Sequence, residues 1–197
     1  MKTMPLLLLL SFPIIALSQD SLSINRPGFL YALAAYDIPK GFGFTIGASI
    51  PFRSVTNLKT GSEKSEFISL ELGEYRYPFA YTSIFFDAGF GIEYIQSSKH
   101  FTALSFNQGL LRTIYDGKVY ESDQNGNIKE RKLYGRTYLI TQCSYSLNYR
   151  VYKRNPNLWF IQLRPSAWLQ YPYNSFLRLH FSLQAGISYS LKNHVFS

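Results

Sequence analysis

His180 and Ser182 stand two residues apart, with Phe181 between them. Side chains alternate across a β-strand, so an imidazole and a hydroxyl at i and i+2 share a face. A base beside a hydroxyl is the start of acyl-ester hydrolysis, which also needs an orienting acid and an oxyanion site in one accessible place. Glu93 or Asp87 would serve as the acid, although no spacing ties either to His180. The plainer reading is a histidine satisfied inside the fold, which needs only hydrogen-bond partners. His100 and His194 have no neighbours at metal-ligand spacing. Asp116–Gly117 and Asn125–Asn127 resemble fragments of calcium loops, but the acidic ligand spacing is incomplete and they read as turn residues. No catalytic, cofactor or metal site is therefore assigned.

The element that carries His180 and Ser182 is legible. From Leu177 to Leu191 every second residue is apolar, and Arg178, His180, Ser182, Gln184, Gly186, Ser188 and Ser190 fall between. That is a β-strand with one apolar and one polar face, long enough to cross a bilayer at a tilt, which takes ~9–11 residues. The same alternation recurs upstream. Strands are expected over 27–36, 42–52, 66–77 and 83–95, with Asp37–Gly41 and Pro78–Thr82 as turns. Residues 96–107 read as a turn with a short helix or as a further strand. A strand then rises from Gln108 toward Ser122, and Asn125–Gly126 matches a two-residue hairpin turn. Strands over 133–152 and 158–171 follow, with Asn155–Asn157 as a tight turn between them. Pro165 sits oddly in mid-strand, since it removes a ladder donor.

The outward set of the clean strands, including Ile68, Leu70, Leu72, Phe86, Phe90, Leu139 and Cys143, is uncharged. The inward set carries Glu71, Asp87, Glu93, Arg150, Arg164 and Arg178, expected to pair as a salt-bridged cluster because unpaired buried charges are costly. Trp159, Tyr171, Tyr94 and Tyr149 fall near strand ends, where aromatic belts meet lipid headgroups.

The chain opens with Lys2, an apolar run Leu6–Leu17 and the small-x-small site Ala16–Ser18. This describes a secretory signal peptide over residues 1–18, with a mature domain over 19–197. The run is too short for a spanning helix, which needs ~20 residues. Cys143 is the single cysteine, so no intrachain disulfide is available. The chain holds 16 Tyr and 16 Phe but 2 Met, a composition that favours strands over helices. Its formal charge of +8 does not point to nucleic acid in an exported chain. Cationic loops facing phosphorylated lipid are the better match.

Together these features predict an all-β, closed, antiparallel transmembrane β-barrel of about eight strands in the cell outer membrane. Every backbone group in lipid must be paired, so a membrane sheet must close. The architecture resembles the small outer-membrane barrels of the OmpA/OmpX type. The run Gln184, Gly186, Tyr189, Leu191 also resembles the C-terminal assembly signal of such barrels, although the chain continues to Ser197. A His-x-Ser pair occurs in outer-membrane lipid A deacylases as well, which implies as an alternative a lipid A-modifying hydrolase using His180 and Ser182. A second alternative is a soluble calycin-like lipid-binding barrel with the faces inverted. The primary expectation is a non-enzymatic structural or accessory subunit. Its partners are outer-membrane lipid, lipopolysaccharide or other outer-membrane proteins. Its recognition surface is the charged hairpin Lys118–Lys132, with Lys118, Tyr120, Lys129, Arg131 and Lys132.

Overall fold

A computed structural model describes residues 27–38, 41–56, 63–95, 100–122, 126–131, 134–151, 159–173 and 176–191. The expected signal peptide, Lys132 and the Asn155–Asn157 turn lie outside these residues. The strands are β1 (Phe29–Ile38), β2 (Gly41–Thr56), β3 (Glu63–Tyr77), β4 (Tyr81–Ile95), β5 (His100–Tyr115), β6 (Val119–Ser122), β7 (Ile128–Arg131), β8 (Gly135–Arg150), β9 (Trp159–Tyr173) and β10 (Phe176–Ser190). Eight of them close into one antiparallel barrel in the order β1-β10-β9-β8-β5-β4-β3-β2, and β6 and β7 form a separate hairpin. The seam that closes it pairs Tyr31 with Ser188, Ala34 with Ala185 and Asp37 with Ser182.

The alternation in sequence becomes an alternation in burial. Along β3, Phe67, Ser69, Glu71 and Tyr75 are buried while Ile68, Leu70 and Leu72 are exposed. Phe86, Phe90, Leu104, Leu110, Leu139, Leu163, Phe181 and Ile187 continue the exposed apolar belt around the barrel. Tyr94, Tyr149 and Trp159 are exposed near strand ends, and the Trp159 and Tyr189 rings meet at 4.8 Å. The faces are the reverse of a calycin-like barrel, which removes that alternative.

The interior is filled by pairing large side chains with cross-strand glycines. Tyr31 lies opposite Gly47, and a Cβ on Gly47 would stand 2.4 Å from the Tyr31 ring. Phe67 lies opposite Gly91 in the same way, and a Cβ on Gly91 would stand 2.3 Å from the Phe67 ring. A narrow barrel has room for rings in its lumen only where a neighbouring strand gives up its side chain.

Several expectations need correction. Asp37 is not a turn residue but the inward-facing end of β1, fully buried. Its preference for turns is outweighed by a partner inside the barrel. Of the two readings of 96–107, the strand holds and the helix does not from His100, which opens β5, while 96–99 lie outside the described residues. The strand that rises through Gln108 ends at Tyr115, and β6 is a separate short strand. The outward face is not wholly uncharged either. Arg76 on β3 and Arg112 on β5 are exposed near one end of the barrel, and Arg112 Nη1 donates to Thr137 Oγ1 at 3.1 Å. They lie at the strand ends, where a headgroup layer would receive them.

Pro165 faces outward as expected, and its effect on the ladder is local. The β8–β9 register holds through Ser144 opposite Ser166 and again from Leu147 opposite Leu163, with a break between. On its other side Pro165 pairs with Leu183 without interruption.

Candidate functional site

The lumen of the barrel is organised around Arg164, Glu71 and Gln184. Arg164 grips Glu71 with two parallel bonds, Nη1 to Oε1 at 2.6 Å and Nη2 to Oε2 at 2.8 Å. Their side chains are 4% and 1% exposed, so water screens almost none of this attraction. Arg164 Nε donates to Gln184 Oε1 at 2.8 Å, and Arg164 sits over the Tyr31 ring at 5.3 Å. Gln184 is the cross-strand partner of Arg164, so adjacent strands preset that contact.

Glu71 and Asp87 are directly opposite on β3 and β4. Two facing carboxylates repel one another. Asn107 on β5 relieves this by donating its amide to Glu71 Oε1 at 3.1 Å and to Asp87 Oδ1 at 2.9 Å. Ser69 Oγ in turn donates to Asn107 Oδ1 at 2.8 Å, fixing which way the amide points. Tyr31 OH adds a further donor to Glu71 Oε1 at 2.9 Å.

Toward the end that bears the hairpin, the polar centre passes into an aromatic plug. Gln184 Nε2 donates to Tyr75 OH at 2.9 Å. Tyr75 stacks between Phe85 and Trp168, at 5.5 and 5.8 Å. The His180 ring lies flat on Trp168 at 3.8 Å and 8°. Its Nδ1 meets Asp37 Oδ2 at 3.0 Å, with Tyr77 OH at 3.2 Å. Toward the other end, Phe29, Phe101 and Phe160 form a second ring cluster with centroids 5.1 to 5.8 Å apart. Between that cluster and the centre is a cavity of about 40 Å³, lined among others by Tyr31, Glu71, Glu93, Asn148, Arg164 and Ser188. That is room for a few waters and no more.

Of the six charges expected to cluster, the structure joins Glu71, Asp87 and Arg164. Glu93 is buried and lines the cavity. Arg150 ends β8 opposite Phe160. Arg178 lies six residues along β10 from Gln184 and donates Nη1 to Tyr81 OH at 3.2 Å. The expected pairing of Arg178 with Asp87, Glu93 or Glu71 is corrected by that distance along the strand.

His180 and Ser182 are both inside the barrel, at 2% and 5% exposure. The acid beside His180 is Asp37, neither Glu93 nor Asp87. Ser182 Oγ is bonded to Ser166 Oγ at 2.6 Å, and no hydrogen bond joins Ser182 to His180 among the described residues. The geometry is a structural polar network closed off by rings. Among the described residues, no three His, Cys, Asp or Glu side chains converge to hold a metal ion.

The hairpin stands apart from the barrel sheet. Tyr120 pairs with Glu130 and Glu121 with Lys129. Lys118 Nζ lies 3.8 Å from Glu130 Oε2, and Tyr120 and Ile128 are 57% and 73% exposed. At its base Tyr115 stacks on Tyr134 at 5.9 Å and 26°. Gly126, at φ 80°, takes the left-handed turn conformation that glycine adopts without strain. Lys118 and Lys129 are exposed, as is Tyr120, while the Arg131 side chain lies outside the described residues.

No protein-family model matches the chain, and no curated protein sequence matches it. Among solved structures it is similar to Neisserial surface protein A (NspA), with a TM-score of 0.51 and 14% identity over 87% of this chain and 100% of that one. It is also similar to a de novo designed transmembrane β-barrel, at TM-score 0.48 and 15% identity over 87% and 100% of the two chains. The outer membrane enzyme PagL matches at TM-score 0.47 and 9% identity, over 83% and 98%. The likeness is one of fold: a closed, eight-stranded antiparallel barrel of the transmembrane type, with OmpA/OmpX-like architecture.

Proposed function

We propose that this chain is an integral barrel of the outer membrane, exported by its signal peptide, that acts without enzymatic activity as a structural or accessory subunit of an outer-membrane assembly. The observation that carries the reading is the division of surfaces. The barrel wall presents an apolar belt far larger than the few hundred Å² that soluble monomers expose, and the lumen is closed by rings and a buried ion pair. Among the described residues the wall is mainly apolar and the lumen is packed with side chains, which leaves the ends of the barrel to meet a polar ligand.

At the hairpin end, β1 is joined to β2, β3 to β4 and β9 to β10 by two or three residues each. The hairpin is the extended connection there, so recognition at that end falls to it. With both chain ends on the periplasmic side, as in bacterial outer-membrane barrels, the hairpin faces the exterior. Lys118, Lys129, Arg131 and Lys132 stand against Glu121, Asp123 and Glu130, which makes it densely charged, and Tyr120 supplies the kind of aromatic anchor that protein interfaces favour.

A photo-cross-linker at Asn127 in intact membranes should capture a discrete protein adduct, lost when Tyr120→Ala and Lys129→Glu are introduced together while the barrel still assembles. Adducts with lipopolysaccharide alone would replace the accessory-subunit role with lipid binding. Protein adducts that survive those two substitutions would overturn the assignment of the hairpin.

A further inference from the structure

Gln108 is out of keeping with its surroundings. It is exposed on the outward face of β5, midway along the strand. Apart from Thr141 on β8, its outward neighbours are apolar: Phe106 and Leu110 on its own strand, Phe86 and Phe90 on β4, and Leu139 on β8, each at least 39% exposed. The charged rim begins at Arg112, one further turn of the alternation beyond Leu110 and ~10 Å nearer the membrane surface for a tilted strand. A glutamine side chain does not span that distance. Its amide makes no hydrogen bond within the described chain, and an amide left unpaired in hydrocarbon costs several kcal/mol.

The surface around Gln108 is shaped for close approach. Its cross-strand neighbours are Ala88 on β4 and Thr141 on β8, both small. They form a low row between two taller ones, Phe86 with Leu110 above and Phe90 with Phe106 below. The Phe90 and Phe106 rings lie 5.9 Å apart. A carboxamide both donates and accepts. Two copies of one residue related by a two-fold axis therefore satisfy each other, which is the self-complementarity an isologous interface requires.

We propose that the outward face of β4, β5 and β8 is a docking surface for a second copy of this chain within the membrane, with the two Gln108 amides paired across a two-fold axis. This rests on the barrel spanning a membrane. Lipid tails cannot supply the missing hydrogen bonds, whereas a facing barrel supplies both at once. Paired polar groups of this kind hold membrane segments together.

The chain carries its own probe. Cys143, its single cysteine, is exposed on the same face, opposite Phe106 and two residues from Thr141. Diagonal neighbours on a sheet lie ~7–8 Å apart, which places the two Cys143 residues roughly 15 Å from each other across the axis. Protein reconstituted in phospholipid vesicles and treated with a bismaleimide of about that reach should give a dimer, which Cys143→Ala abolishes. Gln108→Leu should shift the equilibrium about tenfold toward monomer while the barrel keeps its boiling-dependent change in gel mobility. Wild type that stays monomeric across protein-to-lipid ratios, or a Gln108→Leu protein that dimerises like wild type, would overturn the proposal. Protein that fails to insert, with no boiling-dependent mobility change, would instead overturn the membrane reading and this proposal with it.

Discussion

Arg164→Met lowers the unfolding free energy of the barrel by about 3–5 kcal/mol in urea titrations of the vesicle-inserted protein, the loss that follows when one partner of a buried pair is removed. The size comes from what is left behind, not from the bond alone. Tyr31 and Asn107 still donate to Glu71, yet its carboxylate and that of Asp87 then face each other without the cation that drew them together. Replacing both partners, Glu71→Gln with Arg164→Met, should recover about half or more of the loss, because the facing carboxylates are then reduced to Asp87 alone, which still accepts from Asn107. A double variant as unstable as the single one would show that the guanidinium acts by packing against Tyr31 and not by charge.

Leu70→Arg tests the other face of the same wall. Leu70 is exposed in mid-β3, with Ala48 and Ala88 as its cross-strand neighbours. If that face meets hydrocarbon, a charge there costs about 2–4 kcal/mol. If it met water, an exposed substitution would stay within about ±0.5 kcal/mol. Unfolding midpoints measured in vesicles distinguish the two. The same substitution at Ile128 on the hairpin, which is 73% exposed, should leave stability unchanged.

How much could be read from the residues varies from strand to strand for a physical reason. Wherever the lumen position is polar or glycine, the contrast between faces is sharp, as along β4, β8 and β10. It blurs where the lumen is packed with apolar groups. Along β5 the inward positions include Phe101, Ala103 and Leu111, and the outward face holds Gln108 and Thr102, so residues 96–107 gave no clear period. The ion pair was partly legible. Charges alternating onto one face in mid-strand must find partners inside a closed barrel, but which acid meets Arg164 depends on register. For Glu71 and Asp87 that register follows from the turn at Pro78–Ala80, since both lie eight residues from Phe79. The Asp37–His180 contact spans 143 positions in sequence. It exists only because β1 and β10 close the barrel, and turn chemistry at Asp37 and Pro39 pointed elsewhere.

The most direct test of the whole account is where the native protein partitions and how it migrates. Carbonate-washed outer membranes should retain it, and the detergent-extracted protein should change gel mobility on boiling as a closed barrel unfolds. Recovery of the folded protein in the soluble periplasmic fraction, with no difference between boiled and unboiled samples, would contradict it.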